Sequence, residues 1–330
     1  MVPKLRVIRV PLPPPGLRRV LLVLSLGFCA ASALAFVLRW VPVSPPRLLG
    51  FVAATPYLAL LGAVGLALLV ICRRRWLALA GTALLVAQFV VQAPLLIAAG
   101  APVDGQRIVV LTANLKLGQA DPGSVVAAVR RDDVDVFVAE ELTPELADAL
   151  NAAGLTATLA YSAVEPRPRA SGTGIWSRFP LSQVSADPAY TFEMITARLA
   201  VPGLPYRPEI IGLHLAGPVP DSTLWRRDIA RLHETLRAQP NSVPVLVAGD
   251  FNATRDTVQF RRVLGAGYVD AADQAGAGLT ATFPADRWYG PLIAIDHVLT
   301  RGADARSVRT VSIPGSDHRG LLVSVALPRA

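Results

Sequence analysis

The chain has 330 residues, 52% of them hydrophobic, with a mean hydropathy of +0.45, too apolar for an ordinary soluble enzyme. Its formal charge of +8 does not signal a nucleic-acid surface, because residues 1–100 hold ten Lys and Arg and no acid. Residues 101–330 hold the other 22 basic and all 24 acidic residues, a net of −2. The two cysteines, Cys29 and Cys72, lie in apolar runs, so neither a disulfide framework nor a Cys-based metal site is open to the polar part.

Three charge-free apolar segments follow a basic amino terminus (residues 1–19): Val20–Leu38, Leu48–Cys72 and Trp76–Ala99. Each is long enough to cross a bilayer core as a helix, which needs about 20 apolar residues. Pro56 and Pro94 fall inside the second and third, where bundled membrane helices tolerate proline. A cleaved signal peptide is the competing reading of the first segment, but two more apolar segments follow it at once. Lys4, Arg6, Arg9, Arg18 and Arg19 precede the first span, and Arg73–Arg75 form the second turn, against only Arg39 and Arg47 in the first loop. The positive-inside rule then makes the amino terminus cytoplasmic, and three crossings leave the rest of the chain outside a cell membrane.

After a short linker (Gly100–Gln106, with Pro102 and Gly105) comes a polar domain, residues 107–330. Arg107–Thr112 reads as a buried strand delivering Asn114 at its end, and Asp121–Arg131 as a helix. Val134–Ala139 reads as a second buried strand, closed by Glu140 and Glu141; alternation turns one acid to a site and the other to solvent. Thr143 and Pro144 open a helix to about Ala153. Thr156–Tyr161, Gly174–Ser177, Met194–Val201 and Glu209–Leu213 are strand candidates, the last ending at His214. Pro220–Gln239 has Trp225, Ile229, Leu232 and Leu236 at helical spacing, with His233 and Arg226–Arg227 assigned to packing and surface.

Val245–Ala248 is an apolar run ended by Gly249, after which Asp250 and Asn252 point to one side of an extended chain. A carboxylate and a carboxamide at a sheet rim suit a hard cation, a water and a phosphoryl oxygen; an Asx turn is the plainer reading. A helix near Thr257–Leu264 follows, then an aromatic loop, Thr280–Gly290. The strand Pro291–Thr300 embeds Asp296 and His297, and a buried carboxylate needs a partner. Ser316-Asp317-His318-Arg319 precedes a last strand, Gly320–Ala326, and an Asp beside a His can orient and charge the imidazole.

Six short motifs in this order (TANL, VAEEL, GLHLAGP, GDFNAT, IDHVL and SDHRG) make residues 107–328 resemble the endonuclease/exonuclease/phosphatase superfamily. The resemblance implies a DNase I-like α+β fold, an αββα four-layer sandwich with one metal-dependent phosphoesterase site at the strand ends. It also implies roles. Asn114 lies near metal and substrate. Glu141 is the principal Mg²⁺ ligand, with Mn²⁺ as an alternative, and Asn114 and Asp317 stand beside it. His214 contacts the phosphate and helps the leaving group, Asp250 orients or deprotonates the attacking water, and Asn252 binds phosphate. Asp296 serves a second metal position or a catalytic histidine, and Asp317 and His318 form a terminal pair with His318 on the phosphate. The family usually has Gln where this chain has Glu140, which leaves open which acid ligates the metal.

The residue types fit this chemistry independently. Mg²⁺ takes oxygen ligands, usually one or two carboxylates. In-line attack on a phosphoester needs a base, charge neutralisation and help for the leaving group. No Ser, Cys or Lys nucleophile motif competes, so direct water attack is expected. Three spans before an external domain of this kind also resemble the VanJ-type membrane proteins, which implies a lipid or cell-envelope phosphate or pyrophosphate as substrate. The other readings are an external nuclease, disfavoured by scattered arginines such as Arg167, Arg169 and Arg255, and a non-catalytic binding domain. No protein partner is legible.

Overall fold

A computed structural model describes residues 12–99, 104–219 and 221–329. Lys4, Arg6 and Arg9 of the amino terminus, and Gly100 and Pro102 of the linker, lie outside the described residues. The described chain divides into two compact units, Met1–Val41 with Ala54–Gln92, and Pro42–Ala53 with Ala93–Ala330.

The first unit holds α1 (Pro15–Leu38), and the short α2 (Pro46–Ala53) of the second unit precedes its next helix, α3 (Thr55–Ile71); α4 (Arg75–Gln92) completes it. Helices α1 and α4 are long and apolar enough to cross a membrane; α2 and α3, bent by 62° at their break, bring the number to three if they form one span. The second apolar segment is therefore not one continuous helix. Pro56 sits in the first turn of α3, where its missing N–H and fixed φ are harmless, and the preceding Ala54 takes the break. The third segment stays helical only to Gln92, with a single 3₁₀ turn over Ala93–Leu95. Within the unit the Gln88 amide donates to Ser32 O at 2.9 Å, a polar tie between apolar helices that leaves no buried amide unsatisfied.

The second unit is built on two six-stranded sheets. The first comprises β1 (Gly105–Asn114), β2 (Val136–Glu140), β3 (Tyr161–Glu165), β4 (Thr173–Ser177), β11 (Asp304–Ser312) and β12 (Arg319–Pro328), ordered β11-β12-β1-β2-β4-β3. The second comprises β5 (Leu181–Asp187), β6 (Met194–Leu199), β7 (Glu209–His214), β8 (Val245–Asp250), β9 (Val269–Asp270) and β10 (Asp296–Arg301), ordered β5-β6-β7-β8-β10-β9. Each sheet has one parallel pair at its centre, β1 with β2 and β7 with β8, flanked by antiparallel strands.

Alternation along the strands makes two cores. Ile108, Val110, Val136 and Val138 of the first sheet pack with Ile195, Ala197, Leu246, Ala248 and Val298 of the second, closing the layer between the sheets. The opposite face of the first sheet, through Leu111, Phe137 and Trp176, packs with α5 (Pro122–Arg131), α6 (Pro144–Ala152) and α7 (Leu155–Thr158). Trp225, Ile229, Leu232 and Leu236 form the buried stripe of α8 (Ser222–Ala238), followed by α9 (Val258–Leu264) and α10 (Ala271–Ala275). The architecture is the expected α+β sandwich.

Helices α5, α6 and α8 begin on side-chain caps from Asp121, Thr143 and Asp221. The strand expected over Thr156–Tyr161 is instead the single-turn α7, because Gly154 (φ 92°) turns the chain and the buried Leu155 and Leu159 are spaced four apart. Pro291–Ile295 forms only an isolated bridge, Phe283 to Ile293, and the strand starts at Asp296. The exposed β5 and the alternating β11 lack a continuous apolar run and were not expected.

Gly212 lies where the two sheets approach most closely: a Cβ there would sit 3.0 Å from Val138 Cγ1 and 3.1 Å from Ile175 Cγ1. Gly212→Val is expected to cost about 1–3 kcal/mol by overpacking and to lower the melting temperature. An unchanged melting curve would contradict this close inter-sheet packing.

Candidate functional site

The parallel pairs of both sheets run the same way into one cluster. In the first sheet Asn114 and Glu140 end β1 and β2 opposite each other; in the second His214 and Asp250 end β7 and β8 opposite each other. Asp296 opens β10 directly across from Asp250, and His318 precedes β12. Gly249 (φ 152°) lets the strand reach this rim, since a Cβ there would collide with the carbonyl of Leu213.

The Asp250 carboxylate is the hub. Its Oδ1 accepts from Asn252 N at 2.8 Å, an Asx turn that lifts the chain off the strand. Its Oδ2 accepts from Asn114 Nδ2 at 3.2 Å and lies 3.6 Å from His214 Nε2 and 3.9 Å from His318 Nε2. Burial first, then the Asp296 charge, pushes the Asp250 pKa up to about 6, with His318 and His214 opposing the rise. The Asx turn and the functional cluster are thus one structure.

His214 is clamped by Ala170 O at 3.1 Å from Nδ1 and by the Phe192 ring at 4.6 Å. Nδ1–H donates to that carbonyl, which leaves Nε2 facing Asn252 Nδ2 at 3.3 Å and Asp250 Oδ2 at 3.6 Å. Asn252 (φ 48°) is held in turn by donating to Leu215 O at 2.9 Å. His318 Nδ1 meets Asp296 Oδ2 at 2.9 Å, and its ring packs on Phe283 at 4.8 Å. Burial opposes charge on this imidazole, but Asp296, Asp250 and Asp317 override it and push its pKa up to about 10. It is an imidazolium at neutral pH.

The adjacent acids do not divide between site and solvent as alternation predicts. Glu140 is fully buried, accepts from Thr112 Oγ1 at 2.6 Å and leaves Oε2 without a partner among the described residues. Burial, with Asp296 and Asp250 nearby, holds its pKa well above the usual glutamate value. Glu141 has φ 55°, which breaks the alternation and returns its side chain to the site's edge. There it accepts from Asn114 Nδ2 at 3.0 Å and from Leu117 N at 2.6 Å.

Asp296 and His297 are each paired, but not with each other. Alternation sends Asp296 to His318, while His297 meets Asp270 at 2.7 Å and Ala253 O at 2.9 Å and packs on Phe260 at 4.2 Å. Asp317 is half-buried beside His318, its backbone carbonyl accepting from Ala285 N. No local pattern marks Thr112, Phe192, Phe283 or Asp270 as site residues, because their roles come from long-range pairing. Ser316 belongs with them: its hydroxyl donates to Asn114 O and accepts from His318 N, tying β1 to the last motif.

The donor set fits a hard divalent cation. Five carboxyl groups, Glu140, Glu141, Asp250, Asp296 and Asp317, lie near two imidazoles, and Asp296 Oδ1, like Glu140 Oε2, is buried without a partner among the described residues. Asp250, Asp296 and His318 bring ligand-type atoms within 4.8 Å of one another. His318 is a poor ligand there, because it is protonated and its Nδ1 is engaged by Asp296. Glu141, half-exposed beside Asn114, is the better anchor for an oxygen-seeking ion.

Residues 111–318 match the profile of the Endonuclease/Exonuclease/phosphatase family. The chain belongs to this family. Among similar solved structures, a humanized TDP2 from D. rerio has 16% identity and a TM-score of 0.56, over 66% of this chain and 98% of that one. An endonuclease/exonuclease/phosphatase family protein from Bacteroides thetaiotaomicron has 13% identity and a TM-score of 0.56, over 69% and 100%. A mannosyl-6-phosphatase from Bacteroides thetaiotaomicron VPI-5482 has 14% identity and a TM-score of 0.55, over 67% and 100%. At such identities the likeness is one of fold. No curated protein matches the chain.

Replacing Glu140 by Gln keeps the acceptor for Thr112 and removes the ionisable group. A carboxyl whose pKa is raised on folding makes the native state bind more protons than the unfolded chain, so stability falls as pH rises above the unfolded value. The melting temperature of Glu140→Gln relative to the parent is therefore expected to rise with pH from about 4.5 upward. Parallel melting curves across that window would contradict a Glu140 pKa raised on folding.

Proposed function

We propose that the chain is a membrane-anchored, divalent-metal-dependent phosphoric ester hydrolase that acts on a lipid or cell-envelope phosphate or pyrophosphate by direct attack of water. The observation that carries it is the convergence of Asn114, His214, Asn252 and His318 on one buried carboxylate, Asp250. The family includes enzymes of both phosphatase and nucleic-acid type, so the substrate class rests on the rest of the chain.

Asp250 is the base. With its pKa raised to about 6 it is ionised at neutral pH yet basic enough to take a proton from water. His318, oriented and kept charged by Asp296, neutralises a non-bridging phosphoryl oxygen. Asn252 borders the same group, and His214, carrying a proton on Nε2, gives it to the leaving oxygen as the bond to phosphorus breaks. Glu141, positioned by Asn114 and with Asp317 nearby, would hold the cation; Mg²⁺, or Mn²⁺ in its place, supplies Lewis-acid stabilisation of phosphoryl charge when bound. No side-chain nucleophile competes: Ser316 is spent on Asn114, and both cysteines lie in the first hundred residues.

The apolar helices and the Lys/Arg distribution support an external, membrane-held site. A net charge of −2 over residues 101–330 lacks the general phosphate affinity a nuclease uses. Purified full-length protein with Mg²⁺ is expected to release phosphate from undecaprenyl pyrophosphate and to leave plasmid DNA intact. Nicking without lipid turnover would sink the lipid reading in favour of a nuclease. Asp250→Asn is expected to lower the rate about 10²–10⁴-fold. In the parent, activity falls as pH drops through about 6, where Asp250 takes up its proton; a pH-independent rate between 5 and 8 would remove Asp250 from the role of base.

A further inference from the structure

The hairpin that covers His318 has a tip unlike its base. Thr282 N and Leu292 N bond across the hairpin to Ile293 O and Phe283 O, both at 2.9 Å. Phe283 packs on the His318 ring, Arg319 N donates to Thr282 O at 2.8 Å, and Asp286 pairs with Lys116 at 3.0 Å. Above these ties the chain presents Trp288, 95% exposed, in edge contact with the half-exposed Tyr289 at 5.5 Å, and Leu292 stands exposed beside them.

An indole held almost wholly in water on a pinned loop contributes nothing to the domain's own core. Its neighbours are a phenol and an aliphatic chain, the residue set found where one end of a side chain is apolar and the other wet. Two cavities of about 390 and 500 Å³ adjoin this hairpin. The first is lined by Lys116, Asp286, His318 and Arg319, the second by Leu279, Tyr289, Pro291 and Arg319, so Arg319 borders both. A group at His318 would thus have, by way of Arg319, a second cavity bordered by Leu279 and Tyr289, and the exposed indole stands against Tyr289.

We propose that the Phe283–Leu292 hairpin is a specificity element that takes the hydrocarbon chain of a lipid phosphate whose head group sits at His318, with Trp288 as its principal contact. This rests on the lipid-phosphate reading of the site. The hairpin's base touches the catalytic imidazole and its tip touches the chain, so one element reads both halves of the substrate. Trp288 acts through binding alone, and its exposure means that its removal leaves the fold intact.

The test compares full-length parent and Trp288→Ala on undecaprenyl pyrophosphate and on the five-carbon isopentenyl pyrophosphate. The variant is expected to raise KM for the long-chain substrate about tenfold with kcat within about twofold, and to leave the short-chain kinetics as they were. Equal KM values on the long chain would overturn the proposal; an equal loss on both substrates would assign Trp288 a general structural role and overturn it too. A second readout is independent of turnover: the emission of the parent minus that of Trp288→Phe is expected to shift to the blue on adding the long-chain lipid. A blue shift without hydrolysis of either compound would overturn the hydrolase reading and keep the hairpin's role. No shift would overturn the hairpin's role whatever the turnover.

Discussion

Three carboxyl groups, Glu140, Asp250 and Asp296, are buried where the strand ends of two sheets meet, and the rest of the site answers to that crowding. Buried like charges disfavour one another and each loses hydration. The three resolve the conflict differently. Glu140 has its pKa held well above the usual glutamate value by burial. Asp296 is compensated by the His318 imidazolium at 2.9 Å. Asp250 is left between the two histidines with its pKa raised to about 6, the state a base needs at neutral pH. The same crowding leaves Asp296 Oδ1 and Glu140 Oε2 without partners, which is the electrostatic case for a cation.

The fold pays for this arrangement through rigidity elsewhere. Both parallel pairs are locked in register, and β10 sets Asp296 across from Asp250. Backbone in the left-handed region at Glu141 and Asn252 turns each side chain back to the rim. Aromatic faces from Phe192 and Phe283 hold the two imidazoles from loops on opposite sides. Functional groups are thus carried on strand ends and immediate turns, the most precise positions a sandwich offers.

Much of this was legible in the sequence. Apolar runs located eight of the twelve described strands, and the four ending in Asn, Glu, His or Asp (β1, β2, β7 and β8) led to most of the polar groups at the rim, because a buried strand announces itself by its continuity. Conformations set by a single dihedral were not legible: alternation failed at Glu141, where φ is 55°. Pairing was illegible too. Asp317 beside His318 reads as the acid that orients the imidazole, yet it is Asp296, over twenty positions away, that meets His318 Nδ1, and His297 likewise pairs with the distant Asp270. The break before Pro56 hid within 25 apolar residues, since composition marks a span without marking its straightness.

The central proposal is that Glu141, and not the fully buried Glu140, would anchor a divalent cation beside Asp250. Calorimetric titration of Mg²⁺ and Mn²⁺ into the full-length protein, Glu140→Gln and Glu141→Gln tests it most directly. The account predicts comparable binding by the parent and Glu140→Gln, with binding lost in Glu141→Gln. Binding that survives in Glu141→Gln and vanishes in Glu140→Gln would contradict it.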